Sequence, residues 1–416
     1  MANCVQVRVQ ADSAKKDDSA LRCAYDSIGM ALPLTYNIRN VFIRWRATVA
    51  TIFGVALVVA VYVLVQSMAV GLEKASGNTG DPRNLLIVRR GAVAESGSII
   101  SRENFNIVQY CAEIARDEKG VPLISADALV VMNLPRGNDR GEANVTLRGI
   151  SPNGFALRPQ VSLVAGRWFV PGNREVVMSR RLAKRFAHMN VGESFKIGSR
   201  ELTVVGWFDG QNSAFDSEGW MDADEARSVF SRESYSSLLV RAADEKSGVE
   251  LVRKLESDKR LSLHVLPEVN YYREQTKTAM PIRVLGNFLA TMMSVGAVFA
   301  AMNTMYASVG ARTREIGTLR VLGFRRRSVL LGFLIEGALL ALVGGALGCL
   351  LALPMNGYSV GTVSFETFSE FVFQFRITPW LAMKGLIFSL AVGVVGSLLP
   401  ALRASRLPVI SALKSV

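Results

Sequence analysis

ATVATIFGVALVVAVYVLVQSMAV, residues 47–70, runs for 24 positions without a charged side chain. A helix needs about 20 apolar residues to cross the hydrocarbon of a bilayer, where backbone polar groups must find partners within the chain. The run is too long, and begins too far along the chain, to read as a simple signal peptide. It predicts a transmembrane helix. Working outward, three further stretches repeat the pattern. Val284–Gly310 is uncharged, Ser328–Leu353 carries only Glu336, and Trp380–Leu402 carries only Lys384 near its start. The fold class is therefore an α-helical integral membrane protein with four transmembrane helices. A large extracytoplasmic α+β domain is inserted between helices one and two.

Composition agrees. Half of the 416 residues are hydrophobic, 20% are charged and the mean hydropathy is +0.26. Soluble domains average about 25% charged residues, so the apolar excess belongs in lipid. A net charge of +13 invites a nucleic-acid partner, but residues 71–284 hold 30 basic and 27 acidic side chains. The other segments hold 18 and 8, and they flank the apolar stretches. That is the pattern by which Lys and Arg set membrane orientation, and no nucleic acid is expected as a partner. Arg39, Arg44 and Arg46 precede the first span, and Arg403, Arg406 and Lys414 follow the fourth. The loop after the second span carries Arg312, Arg314, Arg320, Arg325, Arg326 and Arg327 against Glu315. Across the membrane, the short loop Pro354–Pro379 has Glu366, Glu370 and Arg376. Both termini are expected in the cytoplasm, with residues 71–280 outside. Leu34, Ile38, Val41, Phe42 and Trp45 recur at helical spacing, which fits an interfacial amphipathic helix or a cytoplasmic extension of the first span. Residues 1–33 read as a polar tail.

Inside 71–280, Leu85–Val88, Arg102–Arg116 and Ala128–Met132 read as strand, helix, strand. Ser236–Val240, Lys246–Leu255 and Leu261–Leu266 repeat that order. Ser194–Ile197 and Glu201–Val205 flank Gly198-Ser199, a hairpin signal. Residues of about 146–222 look like an inserted subdomain. Catalytic chemistry finds no footing here. His188 and His264 are the chain's two histidines and lack metal-ligand spacing. Cys111 reads as a buried thiol. The acids Asp216, Glu218, Asp222, Asp224 and Glu225 read as a solvated loop and helix start. The chain has no Gly-Lys dipeptide and so no phosphate loop. No cofactor or metal site is expected on it, and any ATP and Mg must be bound by another chain.

The loop ARTREIGTLRVLGFRRRSVLLGFLIEG, residues 311–337, permits a short helix, a turn at Gly323 and entry into the third span. On a helix, Ile316, Leu319 and Arg320 share one face, and Gly317 offers a close backbone approach. A charged loop that only fixes topology would look much the same. Beyond that, the loop resembles the coupling segment of the MacB/FtsX family of ABC transporter permeases. The resemblance rests on Arg312–Gly317, Gly323, Arg325–Arg327 and Phe333–Glu336. Residues 33–65, 149–209 (GISPNGFALRP, AGRWF, REVVMSRRLAKRF) and 399–413 (LPALRASRLPVISAL) are also similar to that family.

The resemblance implies an FtsX-like permease domain over 281–416, with a coupling helix over 311–323, and a MacB-like periplasmic core over 71–280. It implies a multi-pass subunit of the bacterial inner membrane, itself non-catalytic. The expected partners are a cytoplasmic ABC ATPase, a second permease copy in a homodimer or related heterodimer, and a periplasmic adaptor or lipoprotein. Arg312, Arg314, Glu315, Ile316, Gly317, Leu319, Arg320 and Gly323 are the coupling residues it points to, with Glu315, Gly317 and Arg320 facing the ATPase. Such permeases export or extract lipids, lipoproteins, peptides or small molecules. Alternatively they act as mechanical scaffolds that activate a cell-wall hydrolase. Within the membrane, Glu336 is expected to pair between helices or to transmit motion. Lys384 is expected to snorkel to the interface.

Overall fold

The computed structural model describes residues 45–137, 141–275, 280–363 and 368–407. The expected interfacial helix before Trp45, the polar tail and the end of the C-terminal signature lie outside them. Among the described residues, four helices are long and apolar enough to cross a membrane. Span one is Trp45–Gly77, span two Met280–Ala311, span three Arg326–Ala352 and span four Pro379–Ser405. Span one continues seven residues beyond the expected end at Val70. At 1.5 Å per residue, its 33 residues reach about 50 Å, well past the roughly 30 Å of hydrocarbon. Leu72 and Ala75 on this extension are buried against Phe373, which is why the helix does not stop where its apolar run does.

The chain divides into two compact units. One comprises the spans, up to Leu64, from Gly286 to Pro354 and from Thr378 onward; the other is Val65–Leu285 with Met355–Ile377. In the span unit, small residues set the packing. Span three lies against span one at Gly344 and Gly348, and against span four at Gly337 and Gly345. A Cβ at Gly348 would sit 2.5 Å from the Ala56 carbonyl oxygen and 2.8 Å from Val59 Cβ, so only glycine permits this approach. Thr51 donates to Thr304 across spans one and two at 2.9 Å, and Tyr62 stacks on Phe388 at 4.7 Å.

In the other unit, β-branched and aromatic runs form β1 (Asn84–Arg89), β2 (Ile124–Pro135), β3 (Glu142–Ile150), β4 (Ser162–Gly166) and β5 (Glu175–Ser179). These are followed by β6 (Ser194–Ile197), β7 (Arg200–Asp209), β8 (Glu218–Asp222), β9 (Ser237–Arg241) and β10 (Leu263–Pro267). Among the described residues they make one ten-stranded sheet ordered β10-β1-β9-β2-β3-β8-β5-β7-β4, with β6 paired to β7. Strands β3 to β8 fall over the stretch of about 146–222 read as an inserted subdomain, and they are continuous with the rest of the sheet. Strand β2 is 12 residues long; its first four pair with β9 and the rest with β3, so one strand serves both halves. The helix expected over 102–116 ends at Gln109, because Ile114 and Ala115 instead bond the backbone beside β9. Helix Glu245–Ser257 is capped by Asp244, which accepts from the Ser247 N–H, and turns Gly248, Leu251 and Leu255 inward.

At the middle of the sheet lies a buried charge network that the sequence did not reveal. Arg148 on β3 contacts Glu95 at 2.7 Å, Asp127 at 3.1 Å and Glu218 at 2.8 Å, and Arg158 pairs with Asp127. Burial works against the charge on Arg148, yet Glu218 and Glu95 hold its pKa well above the usual value. The acids read as a solvated cluster are partly interior. Glu218 is in this network, Asp216 is buried against Arg181, and Asp222 caps helix Ala223–Val229. Glu268 Oε2 accepts from the Asp81 N–H and from Asn84, while its Oε1 has no hydrogen-bond partner among the described residues. Burial raises the Glu268 pKa, against the pull of Arg158.

Two outcomes follow from this packing. Gly348→Leu should force spans one and three apart and destabilise the protein by about 1–3 kcal/mol, lowering its melting temperature in detergent. Leu350→Ala, at an exposed site on the same helix, should change it little. For Glu268, a carboxyl raised in the folded state stabilises fully below its unfolded pKa, and that contribution is lost as pH rises through the folded value. Glu268→Gln keeps the acceptor and cannot ionise. Its melting temperature relative to wild type, followed by tryptophan fluorescence, should therefore improve as the pH rises above the ordinary glutamate range of about 4.

Candidate functional site

The loop between spans two and three folds into helix Thr313–Val321. Arg312 heads it without capping it, since a guanidinium has no acceptor for the free N–H groups there, and it turns instead to Glu336 in span three. Nη1 reaches Oε2 at 3.0 Å and Nη2 reaches Oε1 at 3.3 Å, with both side chains about nine-tenths buried or more. This two-pronged geometry is the strong form of the Arg–carboxylate bond. Glu336 lies ten residues into span three from Arg326, about 15 Å along the helix, so the loop supplies a counter-charge to a carboxylate within the span. Ile316 is buried with Met305, Val309, Val329, Phe333, Ala401 and Ala404, which seats the short helix on spans two, three and four.

The helix ends as a glycine stop. Gly323 has φ +97°, its N–H bonds the Arg320 carbonyl and the Phe324 N–H bonds the Leu319 carbonyl. A residue with Cβ would resist that left-handed turn. Arg325 then opens the next helix, and Arg325, Arg326 and Arg327 are exposed. At the same end, Arg403 lies over the Tyr306 ring at 5.8 Å. At the other end of span four, Lys384 sits exposed with its Nζ 5.8 Å from the Trp380 ring centre.

Burial sorts the expected coupling residues into two sets. Arg312, Ile316 and Gly317 are buried in this chain, and Leu319 and Arg320 are half-buried. Arg314, Glu315 and Gly323 are exposed, together with Thr318, Val321 and Leu322, which sequence reasoning passed over. Gly317 was expected to face outward. The structure turns it inward because Ile316 and Arg312 fix the helix rotation, and the next residue on that side is Gly317. The exposed stripe is 314, 315, 318, 321 and 322, the spacing of one helix face. A clue was available: Val321-Leu322 is apolar where a solvated loop would be polar.

Among the described residues no group of His, Cys, Asp and Glu could hold a metal ion. The family model for the MacB-like periplasmic core domain matches residues 47–258, and that for the FtsX-like permease C-terminal domain matches residues 287–409. The chain belongs to the MacB/FtsX-like family of ABC transporter permeases.

The permease is 28% identical over 291 residues to the uncharacterized ABC transporter permease YknZ of Bacillus subtilis (strain 168), covering 66% of this chain and 70% of that one. It is 26% identical over 400 residues to the macrolide export ATP-binding/permease protein MacB of Photorhabdus laumondii. That match covers 89% of this chain but only 60% of the relative. The crystallised extracellular domain of YknZ matches 44% of the permease at 16% identity and a TM-score of 0.34.

The ion pair yields a double-mutant test. Arg312→Met or Glu336→Leu alone leaves one buried charge unpaired and should destabilise the permease by about 3–5 kcal/mol. The double variant, with two apolar residues facing each other, should recover most of that loss. Thermal melts of the four proteins in one detergent measure the coupling.

Proposed function

We propose that this chain is the transmembrane subunit of an ABC exporter or extractor, driven by a separate cytoplasmic ATPase that carries the ATP and Mg. The observation that carries this reading is the exposed face of the loop helix: Arg314, Glu315, Thr318, Val321 and Leu322 on a helix anchored by Arg312 and Ile316. Val321 and Leu322 are 61% and 65% exposed, and paired apolar side chains ringed by charge are what a protein partner covers. Arg325–Arg327 beside them supply the cytoplasmic orientation signal. In this reading both termini are cytoplasmic, the membrane is the bacterial inner membrane and the inserted domain lies outside. Movement of the ATPase tilts the loop helix, and the Arg312–Glu336 pair carries the tilt into span three.

Span two presents Phe288, Met292, Val295 and Phe299 outward, a face for lipid and for a second permease copy. The substrate class stays as broad as the family's: a lipid, lipoprotein, peptide or small molecule. The MacB relative's name specifies macrolide export.

The test is Val321→Glu combined with Leu322→Glu. Membrane insertion and melting temperature should be unchanged. The amount of ABC ATPase co-purified from native membranes in detergent, counted by mass spectrometry, should fall at least roughly tenfold, the equivalent of about 1.4 kcal/mol. Wild-type recovery of the ATPase would leave the loop as a topology signal only.

A further inference from the structure

The connection between spans three and four, read from sequence as a short loop, is a built element of the inserted domain. Strands β11 (Ser359–Val363) and β12 (Glu370–Gln374) pair antiparallel, with Val363 opposite Glu370 and Ser359 opposite Gln374. Val372 is fully buried and belongs to the same core as Met132, Val145 and Met178. Its N–H donates to Ser217 Oγ at 2.7 Å. Thr146 donates to Ser369 at 2.9 Å, and Asn144 to the Phe368 carbonyl at 3.1 Å. Phe373 packs on Leu72 and Ala75 of span one's extension, and the Arg376 N–H bonds the Ser67 carbonyl.

The strongest tie is ionic. Glu370, 4% exposed, is gripped by two arginines from different parts of the domain. Arg185, after helix Arg180–Ala183, meets Oε1 at 2.5 Å through both Nε and Nη2. Arg136, just past β2, lies 2.6 Å from Oε2 as an ion contact rather than an aligned hydrogen bond. Neutralising both arginines while the hairpin stays docked would leave the Glu370 carboxylate buried without a counter-charge, which is costly, so the three side chains hold their places together.

Only four covalent crossings join the two units, at 64/65, 285/286, 354/355 and 377/378. Two of them are the ends of this hairpin. Span three, which holds Glu336 and therefore Arg312, runs unbroken to Ala352 and then into it.

We propose that the paired strands β11 and β12 are a force-bearing strap and that Glu370, Arg136 and Arg185 are the positioning residues that rivet it to the inserted domain. Spans three and four pull on the domain through it, beside the ties made by spans one and two. This rests on the permease reading above. The strap works as a fixed joint, docked throughout the cycle, so the requirement is attachment and not the charge itself.

The experiment uses the full chain in nanodiscs, with Cys4, Cys23, Cys111 and Cys349 replaced, alone and with its co-purified ATPase. Without the ATPase, Glu370→Gln and the pair Arg136→Gln/Arg185→Gln should each raise hydrogen exchange of residues 369–374 by about tenfold or more, with β1 and β9 unchanged. With the ATPase, ATP should alter exchange in the inserted domain of the wild type, and Glu370→Gln should lose that response while ATP hydrolysis continues. Thr146→Cys/Ser369→Cys, oxidised to a disulfide in the Glu370→Gln background, should restore the response, and reductant should abolish it again. Undocking without loss of the response would overturn the strap, as would failure of either neutralising change to undock it. No ATP-driven change in the wild type would overturn the permease reading, and the strap's role with it. The exchange measured without the ATPase would still report whether Glu370 fastens the hairpin.

Discussion

The constraint on which the architecture depends is the bidentate pair between Arg312 and Glu336. A carboxylate in an apolar span is expensive, and the chain offsets that cost by turning the first residue after span two back onto span three. The pairing fixes where the loop helix begins and how it is rotated. Ile316 then points into the apolar contact of three spans, Gly317 follows it inward, and the opposite face is left outward. The same contact thus anchors the helix and selects which residues a partner can touch. It also ties the loop to span three by something stiffer than packing alone.

The inserted domain solves a different problem, that of joining two strand-helix-strand halves and an insertion into one body. Strand β2 does so by being long enough to pair with both β9 and β3. Arg148 does so electrostatically, drawing Glu95, Asp127 and Glu218 from three elements to one point. Around it Phe215 and Trp220 face the Arg158 guanidinium at 5.5 and 5.8 Å, so the charge is walled by aromatic rings as well as paired. Such a network is weak evidence of net stability. Its geometric effect is plain: Arg148 and Arg158 of the insertion meet Glu95 and Asp127 of the first half, so those two parts are joined by charge.

Several sequence expectations met elements they could not have distinguished. The acids from 216 to 225 pass from buried (Asp216, Glu218, Asp222) to exposed (Asp224) because a turn, a strand and a helix start follow one another within ten residues, and composition averages over all three. Helix Arg102–Gln109 stops short of its periodic pattern because tertiary pairing at Ile114 competes with propagation. The Pro354–Pro379 loop looked like a connector. Its β character, in Phe371, Val372 and Phe373, was legible; its docking was not, since the partners Arg136, Arg185 and Ser217 are more than 150 residues away.

What the sequence by itself determined is the part governed by local composition: four spans, their order, the charge asymmetry around them, the strand runs and the Gly323 turn. Solvent transfer and backbone sterics act residue by residue, so a window of about 20 residues contains the answer. The rotation of the loop helix, the Arg312–Glu336 and Glu370 clamps, and the fusion of two halves into one sheet were decided by tertiary structure alone. Each depends on charges or strands far apart in the chain meeting at bonding distance, and no local pattern records who the partner is.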